Sequence, residues 1–216
     1  TLGDSLGAML RPTSLDNTSP GVWFSITADD AMINADQEAK RWLDWATGVQ
    51  RRAMYDYKSG FVRACKQGDH SFVTFGQCPL MLSTTEKLDR LVYQCWHLRD
   101  VVWCEDRYGN IDAVYRKWEA TATDVAAAFG DRTSPRVLEK LTKDPYCKVN
   151  CFHIVLAAEN YEQRDPTNAK YRQPWVSIWL DVDNNHVMQE EGSASRLYII
   201  PRWITVTGSQ YAYSPC

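Results

Sequence analysis

Apolar side chains recur along this chain in two different periods, and the change from one to the other divides it. As far as Phe75 the spacing is mainly helical. Leu2, Leu6, Met9 and Leu10 mark one face of a short helix that Arg11-Pro12 closes. A polar, proline-bounded loop from Thr13 to Pro20 follows, and Val22-Trp23-Phe24-Ser25-Ile26 predicts a short strand. Asn34 then suits the cap of a long helix, with Gln37 in the capping-box position and Asp36 in the first turn. Ala39, Trp42, Leu43, Ala46, Val49, Ala53 and Tyr57 keep one stripe for about five turns. Ser59-Gly60 interrupts it. Phe61, Val62, Cys65, Phe72, Val73 and Phe75 predict a second helix packed on the first and ended by Gly76.

Beyond Gly76 the text turns β-rich. Leu80 to Leu82, Leu91 to His97, Val101 to Glu105 and Ile111 to Trp118 read as strands, with a tight turn at Gly109-Asn110. Thr121 can cap a helix, with Asp124 three residues on. Val125, Ala128 and Phe129 supply its apolar face, and Gly130 stands where a left-handed cap is wanted. Ser134-Pro135 opens another short helix carrying Val137, Leu138 and Leu141. Strand text returns at Cys147 to Ala157, followed by a polar loop from Glu159 to Gln173. Trp175 to Val182 is apolar on both faces, which predicts cover on both sides or a subunit contact. Asp183 to His186 is turn chemistry, Val187-Met188 starts a return strand, and Arg196 to Val206 is extended around Pro201. No internal repeat appears. Helices first and mainly antiparallel strands after, with two short helices among them, make the predicted class α+β: a helical region over 1–90 and a β-rich region over 91–216.

A length of 216 residues allows one large domain or two small ones. The formal charge of −3 gives no basic field that would draw the whole chain onto nucleic acid. No run approaches the ~18 apolar residues of a membrane span. Nine Trp and eleven Tyr are many for this length and suit heavy packing or large contact surfaces. The first residue is not Met, so Thr1 reads as the start of a fragment or of an ordered portion. Seven cysteines, an odd number without a secretory signal, read as free thiols.

Signatures of catalysis are sparse. There is no phosphate-binding glycine loop, no dinucleotide fingerprint, no nucleophile elbow and no zinc-protease His pair. His186 and Glu190 have helical spacing but sit in hairpin text. Two groups merit weighing. Asp181, Asp183, Glu190 and Glu191 are candidate paired carboxylates of a hydrolase, against a solvated turn as the plainer account. Cys95-Trp96-His97 and Cys151-Phe152-His153 repeat a Cys-x-His pattern whose ends share a strand face. Two such strands would offer a zinc ligand set, although known zinc spacings are longer and half-buried strand thiols are the simpler reading. Neither group makes a convincing active site, so no catalytic, cofactor or metal residue is assigned.

Four stretches, in order, resemble the head-to-tail connector (portal) proteins of short-tailed bacteriophages. The first is Leu6-Gly7-Ala8-Met9-Leu10-Arg11-Pro12 with Pro20 and Trp23-Phe24. The second is the long helix with Trp42-Leu43, then Phe61, Phe75-Gly76 and the strand after it. The third is Gly109, Ile111-Asp112, Val114-Tyr115-Arg116, Thr121 and Phe129-Gly130. The fourth is His153, Glu191-Gly192, Pro201-Arg202-Trp203, Gly208, Tyr211 and Pro215. The chain departs from the family pattern at Ala212-Tyr213-Ser214, where a glycine-rich run is usual, and in the spacers around Pro20-Gly21-Val22.

The resemblance implies a structural, non-enzymatic subunit of a homo-oligomeric ring of about a dozen copies at one capsid vertex. Such a ring would meet the major capsid and scaffolding proteins, dock terminase and later the tail adaptor, and pass double-stranded DNA. Its place would be the virion, with no membrane involved. Residues 1–90 would form an outer wing and the rest an inner sheet with stem-like and clip-like elements. The family also implies a further helix, a tunnel loop and a crown beyond Cys216. Within this frame Asp112 and Arg116 are expected to hold neighbouring segments or subunits together, each through a partner other than the other.

Overall fold

The computed structural model describes residues 1–11, 23–85, 87–161 and 172–214. Its helices and strands run, in chain order, α1 (Leu2–Leu10), α2 (Ala31–Ala35), α3 (Gln37–Met54), α4 (Phe61–Phe75), β1 (Leu80–Thr84), β2 (Leu91–Cys95), β3 (Val101–Glu105), β4 (Ile111–Thr121), α5 (Ala122–Phe129), α6 (Pro135–Lys143), β5 (Lys148–Ala157), β6 (Trp175–Asp181), β7 (His186–Ser193), β8 (Tyr198–Ile199), β9 (Ile204–Thr205) and β10 (Ala212–Tyr213). This is α+β: helices lead, and antiparallel sheets follow. Two compact units divide the chain, one of Thr1–Cys95, Ile200–Thr207 and Tyr211–Cys216, the other of Trp96–Ile199 and Gly208–Gln210. Among the described residues no helix is long and apolar enough to cross a membrane.

In the first unit α1 opens with a full capping box: Thr1 Oγ1 accepts from Asp4 N, and the Asp4 carboxylate accepts from the Thr1 terminal ammonium. Arg11 at its end pairs with Asp69 of α4. Burial nonetheless holds Asp69 above the usual carboxylate range, with Arg11 opposing it. The long helix begins later than its sequence suggests. Asp36 is the cap, its carboxylate accepting from Ala39 N at 2.9 Å. Asn34 lies inside α2 instead and bonds the Ala28 backbone in both directions. Two capping candidates two residues apart compete, and the one with extended backbone, Asp36 at φ −71° and ψ 132°, wins. The helix also stops at Met54, short of Tyr57.

The strand expected at Val22 to Ile26 is not formed among its described residues. Ile26 N donates to Thr47 Oγ1 of α3, and Trp23 Nε1 to Tyr55 Oη. With side chains of the long helix as partners, this segment has no ladder to join. Phe61 gathers Trp23, Tyr55 and Tyr93 around its ring, with centroids 6.3, 5.1 and 5.0 Å away. Strands β1 and β2 form an antiparallel pair, Leu80 opposite Cys95 and Thr84 opposite Leu91. Gly76 ends α4 at φ 73°, and a Cβ there would run into the Tyr213 backbone, so only glycine fits. The expected extended run from Arg196 to Val206 is broken into β8 and β9, and β9 pairs with β10.

The second unit is built on a five-stranded antiparallel sheet, order β3-β4-β5-β6-β7. The turn before β4 is longer than a two-residue hairpin. Asp106 gathers the Tyr108 and Asn110 amides on its carboxylate, and Gly109 takes the positive φ of 80° while Asn110 does not. Strand β4 runs three residues past Trp118 and passes directly into α5. There Thr121 Oγ1 accepts from Asp124 N and donates to its carboxylate. Gly130 has φ 54° and ψ −125°, a region closed to other residues but not the left-handed helical cap that was expected. Helices α5 and α6 cover one sheet face, where Ala122, Val125, Phe129 and Val137 pack on Val149, Cys151 and Met188. A bulge between Trp179 and Leu180 leaves Met188 of β7 unpaired in register and turns it into this core. On the opposite face Val176 and Ile178 pack with Ala158, Ile154, Leu156 and Tyr161. Strand β6 is therefore covered on both sides, one of the two readings of its two-faced pattern. The loop expected from Glu159 to Gln173 lies mostly outside the described residues.

Candidate functional site

The helix-covered face of the central sheet carries a row of polar and aromatic side chains in direct register, Arg116 of β4, His153 of β5 and Trp179 of β6. Strand alternation puts them there. Buried and open positions alternate from Val114 to Ala120 and from Val149 to Val155, and Arg116 and His153 fall on the buried beat. Tyr198 of β8 bonds to both. Arg116 Nε donates to Tyr198 Oη at 2.9 Å, and Tyr198 Oη lies 2.6 Å from His153 Nδ1. His153 Nε2 is 2.9 Å from Ser177 Oγ.

Donor chemistry orders this chain. A guanidinium only donates, so the Tyr198 oxygen accepts from Arg116 and its own proton goes to His153 Nδ1. His153 is then the neutral tautomer with its proton on Nε2, given to Ser177. Electrostatics agree. Burial, and then the nearby Arg116 charge, push the His153 pKa down to about 3. Burial pushes Tyr198 up to about 12, against the pull of Arg116. The arrangement holds a proton in place between fixed partners.

Asp112 and Arg116 do find separate partners, as expected. Asp112 accepts from Asn160 Nδ2 at 3.0 Å, while Arg116 takes Tyr198 and the Trp96 ring, whose centroid lies 3.9 Å from its guanidinium carbon.

The four candidate hydrolase carboxylates are dispersed. Asp181 is buried and accepts from Asn184 N and Nδ2, closing the β6–β7 turn. Asp183 accepts from Asn150 N and Nδ2, and these bonds hold its pKa below the usual range. Glu190 and Glu191 stand opposite Ile178 and Ser177, three and four places from Asp181 along β6, and on opposite faces from each other. Glu190 accepts from Tyr161 Oη, and Glu191 lies 3.9 Å from Arg132. Each of the four is thus engaged by a different partner.

The Cys-x-His pairs are likewise separated in role. Cys95 ends β2 in the first unit, and His97 Nδ1 accepts from Arg99 N to cap a short turn. His153 has one ring nitrogen accepting from Tyr198 and the other carrying a proton, so it offers no lone pair. Among the described residues no group of three or more His, Cys, Asp and Glu is placed to hold a metal. The six described cysteines are free thiols. Burial pushes Cys78 and Cys151 up to about 12 and Cys95 to about 11, which keeps these thiols protonated and unreactive.

Sequence reasoning missed Tyr198 and Ser177. Their only sequence signal was a polar or amphipathic residue inside strand text, and that does not name a partner. A second feature was half-legible: α3 shows Trp42, Trp45 and Val49 on an exposed face, both Trp at 61% exposure. They repeat at i, i+3 and i+7, apart from the inward stripe of Leu43, Thr47 and Met54.

No curated protein matches the chain. The family model for bacteriophage head to tail connecting proteins matches residues 16–216, almost the whole length. The chain therefore belongs to the bacteriophage head-to-tail connecting protein family.

Proposed function

We propose that the chain is a structural subunit of a portal ring at the capsid vertex, through which DNA is packaged and ejected. The observation that carries this reading is the family match over residues 16–216. The ring is homo-oligomeric, with about a dozen copies. Residues 1–90 form its outer wing, and 91–216 supply the inner sheet and the stem-like and clip-like elements. Its partners are the major capsid and scaffolding proteins, terminase, the tail adaptor and the DNA in transit. It works in the virion.

Physical features support this reading. A subunit with neighbours on both flanks needs apolar surface beyond its own core, and the outward Trp42–Trp45 face of α3 is such a surface. A wall past which DNA slides should not neutralise phosphates, because each such contact adds salt-dependent affinity. The net charge of −3 suits that.

The test is the mass of the purified full-length gene product under native conditions, with negative-stain imaging beside it. A closed ring of about a dozen subunits supports the assignment. A stable full-length monomer that never enters rings, with or without scaffolding protein, overturns it.

A further inference from the structure

Two exposed surfaces of the first unit carry opposite charge around apolar centres. One is the outward face of α3. Trp42, Trp45 and Val49 are 61%, 61% and 38% exposed, and the two indole centroids lie 6.4 Å apart. Helical spacing puts Glu38, Arg41 and Arg52 on the same face, and all three are exposed. Arg41 and Arg52 stand before and after the rings along the helix, and neither makes an ion pair among the described residues. Tryptophan and arginine are the side chains that most often anchor a protein interface.

The other surface is α2 with its flanks. Residues 29–36 hold Asp29, Asp30 and Asp36 and no basic side chain. Asp30 and Asp36 cap α2 and α3, and all three carboxylates are exposed. Between them Met32 is 81% exposed and Ile33 46%, and α2 buries none of its residues. This helix gives its own chain no core. Nor can it fold back onto the α3 rings. Asp36 alone separates the two helices, and Trp42 and Trp45 stand roughly 8 and 12 Å along α3 from its first residue.

We propose that the face of α3 bearing Arg41, Trp42, Trp45 and Arg52 seats the α2 segment of a second copy of this chain, joined head to tail. This rests on the ring reading above, since a ring of more than two copies needs two different surfaces on each subunit. The two surfaces match in chemistry. Met32 and Ile33 would meet the indoles, and a thioether against an aromatic ring is a favourable contact. Asp29, Asp30 and Asp36 would meet Arg41 and Arg52, which steers the encounter and sets its direction. Glu38 within the α3 face speaks against DNA as the occupant, because a phosphate backbone would have to pass a carboxylate with only two cations beside it.

The experiment uses the purified full-length protein with the photo-crosslinking amino acid p-benzoylphenylalanine in place of the solvent-facing Met32. Mixing isotope-labelled and unlabelled copies marks the crosslinks that join two copies, and native mass is measured on the same samples. In rings, position 32 should capture α3 of another copy between Arg41 and Arg52. Arg41→Glu with Arg52→Glu should raise the concentration at which rings fall apart by about tenfold or more. Adding Asp29→Lys to that pair should recover part of the loss, which damage to α3 itself would not allow. Rings in which position 32 captures any other surface, or nothing, overturn the inference and leave the ring reading standing. A closed pair of copies in place of a ring overturns the head-to-tail arrangement. A full-length chain that forms no assembly overturns both readings.

Discussion

His153 and Trp179 lie flat against each other across the β5–β6 register, with ring centroids 3.8 Å apart and planes 10° from parallel. The indole shields one face of the imidazole from water. It also touches Trp118 and Phe129, with centroids 5.9 and 5.6 Å away, and so joins the polar chain to the core under α5. Protonating His153 would place a cation in that shielded space beside Arg116, and the low pKa follows from this.

Stability should therefore depend on pH through His153. The group binds a proton near its ordinary 6.5 when unfolded and near 3 when folded. Between these values the unfolded state holds more protons, so stability is fully present above about 6.5 and is lost as pH falls toward 3. The slope should approach about 1.4 kcal/mol per pH unit, and the total loss should be on the order of 5 kcal/mol. Urea denaturation at a series of pH values checks this. His153→Gln should flatten the profile across the same window, and an unchanged profile would refute the assignment.

Tyr198→Phe removes the one hydroxyl that serves both Arg116 and His153. It leaves the Arg116 Nε proton and the His153 Nδ1 lone pair buried without partners. The expected cost is about 2–4 kcal/mol, larger than for an ordinary buried tyrosine hydroxyl. The loss should shrink when His153 is replaced as well, because the two changes share a partner. Additive losses in that double-mutant cycle would count against the chain of bonds described here.

Capping offers a local check on the first unit. Asp36→Ala should destabilise by about 1 kcal/mol through the lost bond to Ala39 N, and Asp36→Asn should recover most of it. Asn34→Asp keeps the acceptor for Ala28 N but removes the donor to Ala28 O, so it should cost more than its cap propensity suggests. Thermal unfolding of the three variants tells the two residues apart.

Trp42→Ser with Trp45→Ser should leave the fold of the subunit nearly unchanged, within roughly 0.5 kcal/mol, because both rings are mostly exposed. The same pair should weaken assembly of the proposed ring, shifting native-mass populations toward free subunits. Rings that form as readily as in the wild type would remove α3 from the list of lateral contacts.

The sequence was most informative where a rule is local. Ser134 and Pro135 open α6, Thr121 caps α5, and the alternation in β4 and β5 is visible in the side chains themselves. It misled where two local choices of similar strength competed, as at Asn34 and Asp36. It misled again where a β-branched and aromatic run, Val22 to Ile26, found side chains of a helix in place of a neighbouring strand.

By itself, then, the sequence determined the α+β order, most element boundaries and the kinship with head-to-tail connectors, because periodicity, caps and motif order act over short stretches of chain. Only the tertiary structure decided which residues share a site. Arg116, His153, Ser177 and Tyr198 span 82 positions from first to last, yet strand register and β8 bring them into one chain of bonds. The same register separates Glu190 from Glu191 and gives His153 to Tyr198 and Ser177. Pairing across a sheet depends on which strands meet and in what alignment, and the burial of the whole face sets that alignment.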